Sequence, residues 1–91
     1  MEQINWTEDE KIIAEAILHG RKVQEYLWQE LSLSHSEYDS RMWVKVFQKR
    51  VDKISELKPD NPSNKVELRK RILQQAALSV LALKILDGHA E

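Results

Sequence analysis

The feature of this sequence that most constrains its fold is a strongly apolar stretch at residues 72–86. Only Gln74, Gln75, Ser79 and Lys84 interrupt its fifteen positions. A helix of this composition is apolar on most sides, yet the stretch is too short and too interrupted to span a bilayer. A chain of 91 residues has few other helices with which to cover it. We therefore predict a dimer or higher even oligomer, with an interface formed by Leu78, Leu81 and Ile85.

Helix-breaking residues are scarce elsewhere. The chain has two glycines and two prolines, and both prolines fall in one loop at residues 58–64. This pattern predicts an all-α fold: a bundle of three to four helices forming one domain over residues 1–91. Two long antiparallel helices are expected at about residues 37–57 and 65–87, the second ended by Asp87 and Gly88.

The expected helix starts carry capping residues. Thr7 and Glu10 form a capping box ahead of the apolar positions Ile12, Ile13 and Ile17. His19-Gly20 either ends this helix, with a second one over residues 21–31, or lies within one bent helix. Ser34 or Ser36 is expected to cap the next helix, and Ser63 or Asn64 the last one.

Charge is divided along the chain. Residues 1–40 contain nine acids and three bases, a net charge of −6, whereas residues 41–71 contain ten bases and four acids, a net charge of +6. The two parts could satisfy each other, a second subunit or an anionic ligand. There is no cysteine, and the N-terminus lacks a basic segment followed by an apolar run, so we expect a cytoplasmic protein without disulfides.

No motif for metal binding or catalysis is visible. The histidines at positions 19, 35 and 89 lack metal-ligand spacing and are expected at the surface, and the tryptophans at positions 6, 28 and 43 are expected in the core. We predict no metal, no cofactor and no membrane span. Sequence-specific nucleic-acid binding is not expected, because no recognition helix, finger or RNA-binding strand is present.

A basic cluster is the strongest candidate site. Lys45, Lys49 and Lys53 form one row on a helix, and Arg69, Lys70 and Arg71 follow in the next helix. An antiparallel arrangement would bring the turn at residues 49–53 close to Arg71 and Gln74. The cluster is either a solvated face or an anion site. Arg50 lies within the apolar stripe of its helix, so we expect it to point inward and pair with Glu15, Glu25 or Glu30.

The order of elements over about residues 12–87 resembles the MazG-like all-α nucleotide pyrophosphohydrolases, especially the compact phage-encoded type. The segments that carry the resemblance are Gln24-Glu25-Tyr26-Leu27-Trp28, His35-Ser36, Trp43, Leu68-Arg69, Gln74-Gln75-Ala76-Ala77-Leu78 and Lys84-Ile85-Leu86-Asp87. In that family, a Glu-Glu-x-x-Glu on the long helix and a Glu-x-x-Asp in the next helix hold magnesium.

The resemblance places those ligand positions at Lys49, Arg50, Lys53, Arg71 and Gln74. Because cations cannot coordinate magnesium, it implies a non-catalytic MazG-like protein that acts by protein–protein interaction, in a regulatory or phage accessory role. One alternative is a metal-free binder of nucleotide or another polyanion through these five residues. A second alternative is an active nucleoside triphosphate pyrophosphohydrolase.

Overall fold

The computed structural model describes residues 4–31 and 34–89, which contain three helices and no strand. These are α1 (Glu8–Glu30), α2 (Ser40–Ser55) and α3 (Asn64–Leu86). The all-α prediction is confirmed over these residues. None of the three helices combines the length and hydropathy needed to cross a membrane.

The first helix begins where its capping box predicts and continues past Gly20. The backbone N–H of Glu10 donates to the Thr7 hydroxyl at 3.3 Å, and the Glu10 carboxylate accepts from the Thr7 backbone N–H at 2.9 Å. Gly20 does not end the helix, because it faces α3 instead of adopting a left-handed conformation. A Cβ atom at this position would lie 3.9 Å from that of Ala77. The alternative of one continuous helix is therefore the one observed.

The second helix begins later than predicted. Its N-cap is Asp39, whose carboxylate accepts from the backbone N–H of Met42 at 3.0 Å, so neither Ser34 nor Ser36 caps it. The preceding residues form a turn in which Tyr38 N–H donates to the His35 carbonyl at 3.0 Å. The predicted start at residue 37 is wrong. Asp39 is as competent a cap as either serine, and its side chain is the one that forms the capping hydrogen bond.

The third helix matches its predicted span to within a residue at each end. Ser63 occupies the N-cap position, but its hydroxyl donates to the Asn61 side chain at 2.7 Å and does not cap the helix. Asn64 holds the loop by donating to the Lys58 carbonyl at 2.9 Å. At the other end, Gly88 adopts a φ of 81°, as expected for a glycine that stops a helix.

Helix α3 is the central element of the fold. Both α1 and α2 pack on α3, and they do not pack on one another. The buried apolar residues among those described are Ala77, Leu78 and Leu81, all on α3. The predicted dimer contacts of Leu78 and Leu81 are therefore corrected: these side chains are core residues of the single chain, covered by the chain itself. Ile85 is half-buried.

Candidate functional site: a basic groove

Because α1 and α2 pack on α3 without touching, they leave an open groove between them. Its volume is about 810 Å³, within the range of ligand pockets. Val46 of α2 and Leu73 and Leu78 of α3 form apolar parts of its lining. Along α1 the lining extends over residues 16–28, which corresponds to about 18 Å of helix.

Four cationic side chains line this groove: Lys49 and Arg50 from α2, and Arg69 and Lys70 from α3. No aspartate or glutamate is among the lining residues that the structure describes. Within the described part of the chain, none of the four cations forms an ion pair. The groove therefore combines an apolar surface with concentrated positive charge, which suits an occupant that is both apolar and anionic.

The structure divides the predicted cluster into two groups. Lys49, Arg50 and Gln74 line the groove together, as the antiparallel arrangement of α2 and α3 requires. Lys53 and Arg71 do not line it, so the prediction that they contribute to the same site is corrected.

Arg71 instead joins the two helices on another face. Its guanidinium lies 3.1 Å from the Glu67 carboxylate and 3.6 Å from that of Glu56, and it donates to the Lys53 carbonyl. The Lys53 ammonium lies 3.8 Å from Glu56. These carboxylates compensate both cations locally, which leaves neither available to an anion in the groove.

Arg69 and Lys70 belong to the predicted basic cluster but not to the five predicted ligand-binding residues. They lie one helical turn before Leu73 and Gln74, and therefore on the same side of α3, whereas Arg71 is rotated away. The three-residue basic run was visible in the sequence. The angular position of each basic residue around α3, relative to Leu73, is the signal that separates Arg69 and Lys70 from Arg71.

The buried arginine is Arg21, not Arg50. Arg50 is half-buried in the groove lining and, among the described residues, pairs with none of its predicted partners. Arg21 is 4% exposed, and its guanidinium lies 5.8 Å from the centre of the Trp28 ring. The predicted partner Glu25 has a lowered pKa, mainly because Lys22 donates to it at 3.3 Å, with smaller contributions from the charges of Arg21 and Lys84.

An aromatic cluster connects the end of α1 to α2 beside the groove. His35 is 7% exposed, and its ring centre lies 4.4 Å from that of Trp28, 4.8 Å from Tyr38 and 5.9 Å from Trp43. The prediction of a surface histidine is wrong at this position, because the ring packs within these neighbours. Trp28 and Trp43 are half-buried, as expected of packed tryptophans, whereas Trp6 is exposed.

Acidic side chains in the described part of the chain do not converge as magnesium binding would require. Over residues 4–31 and 34–89, no three histidine or carboxylate side chains are grouped so that they could hold a metal ion. Comparison with known proteins gave no significant match to any family model, curated protein or solved structure.

Proposed function

We propose that this chain is a non-catalytic, MazG-like interaction module that functions in association with another protein chain. The observation that carries this proposal is its unusually large surface. The chain exposes 7548 Å², whereas a compact monomer of 10.7 kDa exposes about 5,500 Å². Its radius of gyration is 15.1 Å, compared with about 12 Å for a compact domain of this length.

Much of this surface is apolar. Among the described residues, exposed large hydrophobic side chains occur on all three helices. Those on α1 and at its C-cap are Ile12, Ile13, Leu18, Val23, Tyr26, Leu27 and Leu31. Single exposed hydrophobic residues are ordinary, but a helix that presents so many indicates a surface that another chain covers.

The exposed area in excess of that of a compact monomer distinguishes between kinds of partner. About 2,000 Å² per chain is more than the roughly 800 Å² that each partner buries in a standard interface, and it matches obligate interfaces. A drug-sized ligand could not cover this area, since most of such a ligand fits within one pocket. The excess therefore favours an obligate protein assembly, and a dimer is its simplest form.

Sedimentation velocity over a wide range of protein concentration tests this proposal. We expect a species of about twice the 10.7 kDa chain mass at micromolar concentration, because the apolar surface is too large to remain solvated. A monomer at every concentration, with no co-purifying protein, would contradict the proposal.

The non-catalytic part of the proposal rests on charge. Among the positions where the related family would carry metal-binding acids, this chain has Lys49, Arg50 and Lys53 on α2. At an effective dielectric constant near 20, each cation about 4 Å from a divalent metal ion would oppose binding by roughly 8 kcal/mol. We expect no pyrophosphate release from nucleoside triphosphates with magnesium or manganese. Turnover that a chelator abolishes would support the hydrolase alternative instead.

A second candidate function is metal-free binding of a nucleotide or other polyanion. Four cations line the groove, and no acid accompanies them among the described lining residues, which favours this function. Binding should weaken as salt rises, because the attraction between ligand and groove is electrostatic. Lys49→Glu should abolish such binding. Lys53→Glu, one helical turn away but outside the groove, is the matched control and should retain it.

A further inference from the structure

We infer that the groove is filled by the first turns of α1 from a second copy of this chain, so that two α1 helices pair antiparallel across a twofold axis. This inference rests on the proposed function and names its partner. In this arrangement each copy fills the groove of the other, which makes the interface closed and self-complementary.

The apolar side of α1 already faces the groove. Ala16, Val23 and Leu27 all line it, and Ile12 continues the same side toward the N-terminus. Ile12, Val23 and Leu27 are each about half exposed in the single chain. Helical spacing therefore produces a continuous apolar stripe that no other part of the described chain covers.

Charge complementarity identifies the segment that would occupy the groove. The first two turns of α1 carry Glu8, Asp9, Glu10 and Glu15 against Lys11, a net charge of −3. All of these residues are exposed, as is Ile12 between them. In the described part of the chain, the groove lining has four cations and no acid. The same helix thus supplies both the apolar contact and the anionic groups that the groove lacks.

The position of the cations sets the direction of the pairing. Gly20 lies against Ala77, and the Gln24 amide donates to the Gln74 carbonyl at 3.3 Å, so α1 and α3 run antiparallel. The cationic end of α3, at Arg69 and Lys70, therefore lies beside the C-terminal part of α1.

Only one of the two symmetric arrangements brings opposite charges together. A parallel pair in register would put two acidic first turns side by side, where like charges repel. An antiparallel pair places the first turn of each copy beside Leu27 and Trp28 of the other, near the cations. In this register, Ile12 of one copy lies opposite residues 23–24 of the other.

The absence of native cysteine permits a direct test by disulfide trapping. Separately prepared Ile12→Cys and Val23→Cys chains are mixed under mild oxidation. We expect a covalent dimer only in the mixture, because self-pairing of either variant leaves its cysteines well beyond the roughly 7 Å Cα separation that a disulfide allows. Leu18→Cys mixed with Val23→Cys is the control, since Leu18 is similarly exposed but lies on the other side of α1.

Charge reversal provides a second measurement that does not depend on oxidation. Glu8→Arg and Arg69→Glu should each raise the dissociation constant of the dimer, by about tenfold for two symmetry-related pairs. Combining both changes in one chain should restore most of the affinity, a result that simple loss of folding would not give.

The possible results separate the inference from the proposed function. The inference would be overturned if the chain dimerises but the Ile12→Cys and Val23→Cys variants form no disulfide and the combined charge reversal restores no affinity. The proposed self-association would remain intact in that case. A monomer throughout would overturn both. Loss of dimer on addition of a nucleotide, with the nucleotide bound in the groove, would assign the groove to the polyanion instead.

Discussion

The two glycines of this chain differ in backbone conformation and in the space around them. Gly20 lies inside α1 with helical geometry, and a methyl group added there would meet Ala77 at an ordinary contact distance of 3.9 Å. Gly88 has open space around it but a φ of 81°, which side-chain-bearing residues rarely adopt. Space is therefore not limiting at either position, and backbone conformation decides the effect of substitution.

We expect Gly20→Ala to stabilise the protein by about 0.5–1 kcal/mol, because alanine reduces the backbone entropy lost on folding. Gly88→Ala is the matched control and should destabilise it, since the left-handed conformation at the end of α3 is strained for alanine. Urea denaturation of both variants measures the difference. A destabilised Gly20→Ala variant would show that α1 and α3 approach too closely for a methyl group.

Asp39 shows how one exposed carboxylate can set a helix boundary. Its pKa is lowered, mainly because the Met42 backbone N–H donates to the charged form. The pKa of Glu10 is lowered for a related reason, by hydrogen bonds from the backbone N–H and hydroxyl of Thr7. Each group therefore contributes stability above its unfolded-state pKa, and this contribution is lost as pH falls through the folded-state pKa.

Replacement of Asp39 should consequently have a pH-dependent effect. Asp39→Ala is expected to lower the urea midpoint near neutral pH, and the difference from the native chain should shrink as the pH falls below the ordinary aspartate pKa and the native carboxyl becomes protonated. Asp39→Asn retains an acceptor without the charge, so its midpoint should change less with pH than that of the native chain. An Asp39→Ala defect that is constant with pH would contradict capping by the ionised carboxylate.

The three helices differ in how far local sequence determines them. Thr7 with Glu10 and the glycine at position 88 are local signals, and both predict the ends they form. The start of α2 was not predictable in this way, because Ser34, Ser36 and Asp39 are all competent caps. The observed start at Asp39 coincides with packing of His35 between Trp28 and Trp43, which belong to different helices.

The candidate groove also combines features that local sequence predicts with features that depend on tertiary packing. Helical spacing predicts that Lys49, Arg50 and Gln74 lie together, since a short loop makes α2 and α3 antiparallel neighbours. It also places Arg71 away from Leu73 on α3, but it does not predict the ion pair of Arg71 with Glu56, because that pair depends on how α2 and α3 pack. The apolar composition of α3 correctly marks it as the best-covered helix, but only packing reveals that α1 and α2 supply the cover.

The central role of α3 can be tested with two leucines on the same helix. Leu81 is fully buried, whereas Leu83 is 57% exposed. Leu81→Ala should cost about 2–5 kcal/mol of unfolding free energy, because it leaves a cavity in the buried core. Leu83→Ala should cost no more than about 0.5 kcal/mol. Similar losses for the two variants, measured by chemical denaturation, would contradict the assignment of the core.

At the scale of the whole molecule, the described chain has a small core for its size, and we expect this to make its melting temperature depend on protein concentration. Over residues 4–31 and 34–89 the buried apolar side chains are those of Ala77, Leu78 and Leu81, so we expect much of the stability to come from association. Folding coupled to dimerisation makes the melting temperature depend on protein concentration, because mass action favours the associated folded state.

We therefore expect the melting midpoint to rise with concentration. A tenfold increase is equivalent to about 1.4 kcal/mol of association free energy. For a dimer of this total length, that corresponds to an increase of about 3–6 °C. Differential scanning calorimetry across two decades of concentration measures the shift, and Glu8→Arg should lower the midpoint most at low concentration, where the dimer is least favoured. A midpoint independent of concentration would mean that the small core suffices to stabilise the isolated chain.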